Sequence, residues 1–269
     1  MGESLIAIGK VLVAVALGVP AVMYLLQDRL LFYPRPLAEA QRVQIEQRFS
    51  GSTESLFRTA EDGTRLHAWH VKAQAGAPLV IYFGGNAEEV SWMLGEATQR
   101  TPGVAWLLVD YRGYGASEGR PSESALVSDA LAWYDLVVGA YPSVFVFGRS
   151  LGSGVAVQLA SARPVAGAIL VTPFDSLIEV AKHHYPWLPV RWMLKHPFDS
   201  VSRASTLSMP LLCLVATNDE VIPSAHARRL YEAWGGRKIW VALEGAGHNN
   251  TDNLPAFWQS ISAFLAGKL

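Results

Sequence analysis

Residues 144–154 read VFVFGRSLGSG. Four β-prone apolar residues stop at Gly148, Ser150 follows two positions later, and a run of small residues begins at once after it. The order is strand, tight turn, helix. A Gly-x-Ser-x-Gly nucleophile elbow needs that order, because the chain must reverse sharply at the serine with glycines where the neighbouring backbone passes. The same pentapeptide also suits a glycine-rich turn that packs a helix on a sheet. The flanking segments have to decide between the two.

They alternate. PLVIYF (78–83), VAWLLVD (104–110), VAGAILVTP (165–173), PLLCLVAT (210–217) and KIWVALEG (238–245) are short, almost wholly apolar strands. Helical spacing fills the intervals at about 87–99, 122–139, 225–234 and 254–266, with Ser122 placed to cap the second. SLFRTA and RLHAWHV flank EDGT as a hairpin. Strands apolar on both faces, alternating with helices, predict an α/β fold with a mostly parallel sheet covered on both sides. Such sheets present functional residues just beyond the carboxyl ends of their strands.

That rule selects the partners of Ser150. A serine hydroxyl needs a base to take its proton. Of seven histidines, only His248, in EGAGHNN, lies in a loop directly after the last strand. His67 and His70 lie on an early strand, His183, His184 and His196 in an aromatic segment, and His226 in a helix. A base needs a carboxylate to fix its tautomer. Asp219, in TNDEVIP, follows a strand and gives the chain order Ser150, Asp219, His248 expected of this triad. Asp175, in VTPFDS, is the rival acid. Oxyanion donors are expected from the N–H of Leu151 and from the loop FGGNAEE, through Asn86 or Ala87. The bland reading of that loop is a glycine-rich connection with an Asn helix cap.

The chain has 269 residues, enough for one α/β domain and a short N-terminal appendage. Net charge is −1 with no basic block, which argues against a nucleic-acid partner. The single cysteine, Cys213, sits in an apolar strand and reads as a buried small side chain. No metal-ligand spacing and no phosphate loop appears, so no metal and no cofactor is expected.

VLVAVALGVPAVMYLL (11–26) carries no charge and predicts an uncleaved membrane anchor over residues 1–29, ahead of a domain over 30–269. A signal peptide and a hydrophobic soluble helix are the rival readings. Lys10 precedes the run while Arg29, Arg35 and Arg42 follow it, which weakly favours a cytoplasmic domain. Between Pro173 and Pro210, HHYPWLPVRWMLKHPF predicts an aromatic lid over about 174–209, although its aromatics also suit ordinary packing.

Together LLFYP, YFGGNAEEV, DYRGYGASEGRPSE, GRSLGSG, NDEVIP and EGAGHNN resemble the α/β-hydrolase superfamily, most of all its membrane-anchored serine-hydrolase branch with depalmitoylase-like and lysophospholipase-like members. The resemblance spans residues 30–250. It implies Ser150 as nucleophile, Asp219 as acid, His248 as base and an oxyanion hole at Asn86 and Leu151. One departure is Gly84-Gly85, where many relatives place His-Gly. The expected activity is cleavage of a carboxylic ester or thioester of an acyl substrate, with the membrane lipid as the partner of the N-terminal helix. A serine peptidase and a noncatalytic binding protein on the same scaffold are the alternatives.

Overall fold

A computed structural model describes the backbone of residues 2–269; the side chains of residues 2, 3, 5, 11–13 and 15–17 fall outside the described set. An N-terminal helix α1 (Gly2–Leu31) precedes α2 (Glu39–Arg48), the hairpin β1 (Thr53–Thr59) and β2 (Arg65–Val71), and then β3 (Leu79–Phe83). The chain continues through α3 (Met93–Arg100), β4 (Ala105–Val109), α4 (Glu123–Val137), β5 (Val144–Arg149), α5 (Leu151–Ala162) and β6 (Gly167–Val171). Three short helices, α6 (Leu177–His184), α7 (Val190–Met193) and α8 (Val201–Ala204), lead to β7 (Leu211–Ala216), α9 (Ser224–Ala233), β8 (Lys238–Leu243) and α10 (Pro255–Leu265).

The strands form one eight-stranded sheet in the order β1-β2-β4-β3-β5-β6-β7-β8. β2 runs antiparallel to both its neighbours and the remaining pairs are parallel. The apolar runs supply both faces, because successive side chains of a strand point to opposite sides. Leu79, Ile81 and Phe83 of β3 join one core with α4, α5 and α9, while Val80 and Tyr82 join the other with α3 and α10. From β3 the chain crosses to β4 on one side, then to β5 on the other. Their carboxyl ends therefore flank the point where the winding reverses, the place where such sheets open a crevice.

Three local expectations differ from the structure. The helix expected from residue 87 begins later: Ala87 has φ of 58°, a left-handed turn, and only a single 3-10 turn, Val90–Trp92, precedes α3. The Glu89 carboxylate caps that turn by accepting from Ser91 N at 3.1 Å. Helix α2 has no sequence counterpart, being polar and without a buried residue. The expected membrane anchor finds no support among the described residues, in which no helix is long and apolar enough to cross a membrane. Much of the apolar run behind that expectation, residues 11–13 and 15–17, has side chains outside the described set. The described end of α1 is packed on the domain: Gln27 is buried, and Phe32 just beyond it enters the core edge-on to His196.

Candidate active site

The turn from β5 into α5 holds Ser150 at φ 51°, ψ −117°. This left-handed backbone is strained for a side chain with a Cβ, at a cost of roughly 1–3 kcal/mol. Its surroundings impose it. Ser150 N–H donates to the carbonyl of Val171 on β6 at 2.9 Å. A Cβ at Gly148 would overlap the Gly152 carbonyl, and one at Gly152 would overlap the carbonyl of Phe83 on β3. Helix, turn and sheet approach so closely that only glycine fits at those two positions. A serine at a helix start ordinarily caps the first turn with its hydroxyl. Here the hydroxyl makes no cap and points instead to His248 Nε2, 2.9 Å away.

His248 lies after β8, and its Nδ1 is 2.7 Å from Asp219 Oδ2. The other carboxylate oxygen of Asp219 accepts the backbone N–H of Val221 at 2.9 Å and of Ile222 at 2.7 Å. With one oxygen so held, the second can only take the imidazole proton. That leaves the Nε2 lone pair facing the serine hydroxyl. The two loops are tied together by Asn218 N–H donating to Ala246 O at 2.9 Å and Gly245 N–H to Thr217 Oγ1 at 2.9 Å. Asp219's side chain is 1% exposed and that of His248 11%, so the relay is shielded but open at the serine end. There it lines a cleft of about 380 Å³ with Asn86, Trp92 and Val221.

The rival acid is elsewhere. Asp175 is buried against His226 Nδ1 at 2.8 Å and Arg229 Nε. Burial by itself raises its pKa, but the hydrogen bonds from His226 and Arg229 outweigh that and hold the carboxyl below its ordinary value. A second Ser–His–Asp sequence of contacts, Ser55–His67–Asp110, has similar lengths of 2.8 and 2.7 Å. Burial separates it from the first: His67 is 0% exposed, so no substrate reaches it. It fastens the hairpin to β4.

The loop after β3 faces Ser150, and two of its N–H groups are committed. Gly85 N–H donates to Glu88 Oε2 at 2.6 Å and Ala87 N–H to Asn86 Oδ1 at 3.0 Å. Among the described residues, the N–H groups of Asn86 and Leu151 have no acceptor. Of the two sequence candidates on that loop, Asn86 therefore keeps a free donor and Ala87 does not. The Asn86 side chain is not a helix cap. It donates to Leu31 O at 2.5 Å and accepts from Tyr33 N–H at 2.9 Å and Tyr114 Oη at 2.7 Å, pinning the loop to the chain that leaves α1. Burial pushes the Tyr114 hydroxyl up to about 12, so it stays a proton donor.

Sequence reasoning gave no role to Glu88, which also accepts from Tyr82 Oη at 2.5 Å and Trp92 Nε1 at 2.9 Å. Burial, with Glu88 nearby, holds the Tyr82 hydroxyl well above its ordinary pKa. The only sequence signal is a glutamate three residues after Gly85 in a loop, which has the spacing of a local side-chain–backbone bond.

An uncharacterized protein of Mycobacterium tuberculosis is 35% identical over 89% of this chain and 86% of its own length. The α/β-hydrolase domain-containing protein 17C of Xenopus tropicalis is 30% identical over 87% of this chain and 76% of its own. The chain belongs to the α/β-hydrolase family. A serine-hydrolase family profile matches residues 135–267, which include Ser150, Asp219 and His248. Among solved structures, an esterase of Pyrococcus furiosus superposes with a TM-score of 0.66 over 87% of this chain and 96% of its own, at 17% identity, a likeness of fold. This α/β hydrolase is an enzyme of the hydrolase class.

Proposed function

We propose that this α/β hydrolase cleaves a carboxylic ester or thioester of an acyl substrate through Ser150, His248 and Asp219. The observation that carries the reading is the unbroken contact from Asp219 through His248 to a strained Ser150 at the mouth of a cleft. His248 Nε2 takes the hydroxyl proton as Ser150 Oγ bonds to the acyl carbon. Asp219 orients the imidazole and stabilises its cation. The carbonyl oxygen gains negative charge and accepts hydrogen bonds from the N–H groups of Asn86 and Leu151; one such donor contributes about 10²–10³ in rate. His248 returns the proton to the departing alcohol or thiol. Water then attacks the acyl-enzyme, giving its proton to His248, and Ser150 leaves with that proton restored. None of these steps calls for a cofactor.

The N-terminal helix is read as a membrane anchor. The uncharged run over residues 11–26 of the sequence supports this. Alkaline carbonate extraction of the full chain tests it: retention in the membrane pellet supports the anchor, and release rejects it.

The activity is tested by fluorophosphonate labelling of the full chain and its Ser150→Ala variant, followed by an ester and thioester panel. Labelling and turnover confined to the parent are expected. Equal labelling of both proteins, or a folded parent that neither labels nor turns over any substrate of the panel, would reject the triad.

A further inference from the structure

We infer that α1 is part of the substrate site: the apolar groove between its last turns and the lid holds the unbranched acyl chain of the ester or thioester whose carbonyl reaches Ser150. The inference rests on the hydrolase reading above and extends it from the bond cleaved to the group recognised.

Met23, Leu30 and Leu31 form one wall of a cavity of about 270 Å³, and Ala181, Leu188 and Met193 of the lid form the other. That is slightly under the ~300 Å³ at which small-molecule pockets begin, so it suits one narrow chain better than a ring system. No charged side chain lines it. Its one amide, Gln27, is consumed in holding the walls together: Nε2 donates to Met193 O at 3.0 Å and Oε1 accepts from Lys195 N–H at 2.7 Å. Asp28 Oδ1 adds a contact to His196 Nε2 at 3.0 Å. Helix and lid are thus fastened beside a groove whose lining carries no charge and, besides Gln27, only Tyr24, Tyr33 and Tyr185 as side chains with a polar atom.

The helix wall is bonded to the cleft that contains Ser150, and the lid is bonded to it at a residue next to the groove. On the helix side, Asn86 is bonded to Leu31 O and to Tyr33 N–H, and both residues line the groove. On the lid side, His184 at the end of α6 bonds Val221 O at 2.8 Å, and Val221 lines the cleft. The groove therefore begins beside the loop that carries the Asn86 N–H. A chain extending from a carbonyl held there meets apolar surface. Complete burial of a methylene strengthens binding about fourfold.

The test uses the full chain in lipid nanodiscs and p-nitrophenyl esters from acetyl to dodecanoyl. kcat/KM is expected to rise at least tenfold from acetyl to octanoyl. Ala181→Trp, which fills the groove from the lid, and Leu30→Glu, which charges its half-exposed helix wall, are each expected to lower that ratio at least tenfold. Leu30 is 50% exposed, so its variant keeps the test valid should the bulky one fail to fold. A flat profile, or a ratio that neither variant alters, overturns the groove while leaving the triad intact. A readout independent of turnover is photolabelling of the Ser150→Ala chain with dodecanoate bearing a terminal diazirine. Adducts on α1 and the lid, reduced severalfold in either variant, support the groove even if no ester is hydrolysed; adducts confined to other segments overturn it. An octanoyl lysophospholipid run beside an S-octanoylated peptide shows whether a lipid or an acylated protein supplies the chain. Loss of turnover in Ala181→Trp with either one supports the site.

Discussion

The Glu88 carboxylate accepts the backbone N–H of Gly85 at 2.6 Å, and this bond takes one donor of the loop after β3 away from any substrate. The same carboxylate takes the Tyr82 hydroxyl and the Trp92 indole, so it joins the loop to the core beneath and the cleft wall above. Glu88 is a positioning residue. Without it the loop keeps the ties of the Asn86 side chain but loses the one through Gly85, so the proposed oxyanion donor at Asn86 is held less firmly.

Glu88→Gln should therefore lower kcat roughly 10–100-fold, the scale of a small misplacement of a catalytic group, with KM changed less than about threefold. Steady-state kinetics on a short-chain ester checks the split. Equal loss in kcat and KM, or none, would remove Glu88 from this role.

The two candidate acids separate in the same way. Asp219→Asn should reduce kcat by about 10³–10⁴, since an amide cannot hold the imidazole in the tautomer that leaves Nε2 unprotonated. Asp175→Asn should leave kcat within about threefold but cost roughly 1–3 kcal/mol of stability, because His226 loses its buried partner. Parallel kinetics and thermal melts of both variants discriminate. An Asp175 variant that is stable and inactive would exchange the assignments.

Much of the site was legible because parallel α/β sheets put chemistry after strands. Ser150, Asp219 and His248 each follow one of β5, β7 and β8, and apolar runs bounded by polar residues mark those strands. What was not legible came from contacts between distant segments. The bland alternative for Asn86, a helix cap, could not be set aside from its neighbours; its side chain is taken by Leu31 and Tyr33, 55 and 53 residues away. The start of α3 shifted for a local reason, the left-handed backbone at Ala87. Ser55–His67–Asp110 reproduces the contacts of a triad, and burial, which no local pattern reports, separates it from the one proposed to react.

Strain at Ser150, the proposed nucleophile, predicts a trade between stability and activity. Ser150→Gly removes the Cβ from a residue at φ 51° and deletes the hydroxyl. Melting temperature should rise by roughly 2–4 °C, the shift that corresponds to about 1 kcal/mol in a domain of this size. Activity and fluorophosphonate labelling should vanish. Ser150→Ala, equally inactive but keeping the Cβ, should melt within about 1 °C of the parent. A glycine variant no more stable than the alanine variant would mean the turn carries no strain.

Acid stability offers a last test, through Asp175. Its folded pKa lies below the ordinary value of 3.8 because His226 and Arg229 outweigh the effect of burial. A carboxyl depressed in the folded state binds fewer protons there than in the unfolded chain. Its contribution is therefore complete above the unfolded pKa and is lost as pH falls through the folded one. The chain should hold its melting temperature from pH 7 to about 5, then lose it increasingly below pH 4. Asp175→Asn should melt lower at neutral pH and fall less steeply in acid, so that the two curves draw together as pH falls below the ordinary carboxylate value. Melts across pH 3–7 measure the difference, and parallel curves would show that the Asp175 carboxyl titrates alike in folded and unfolded chains.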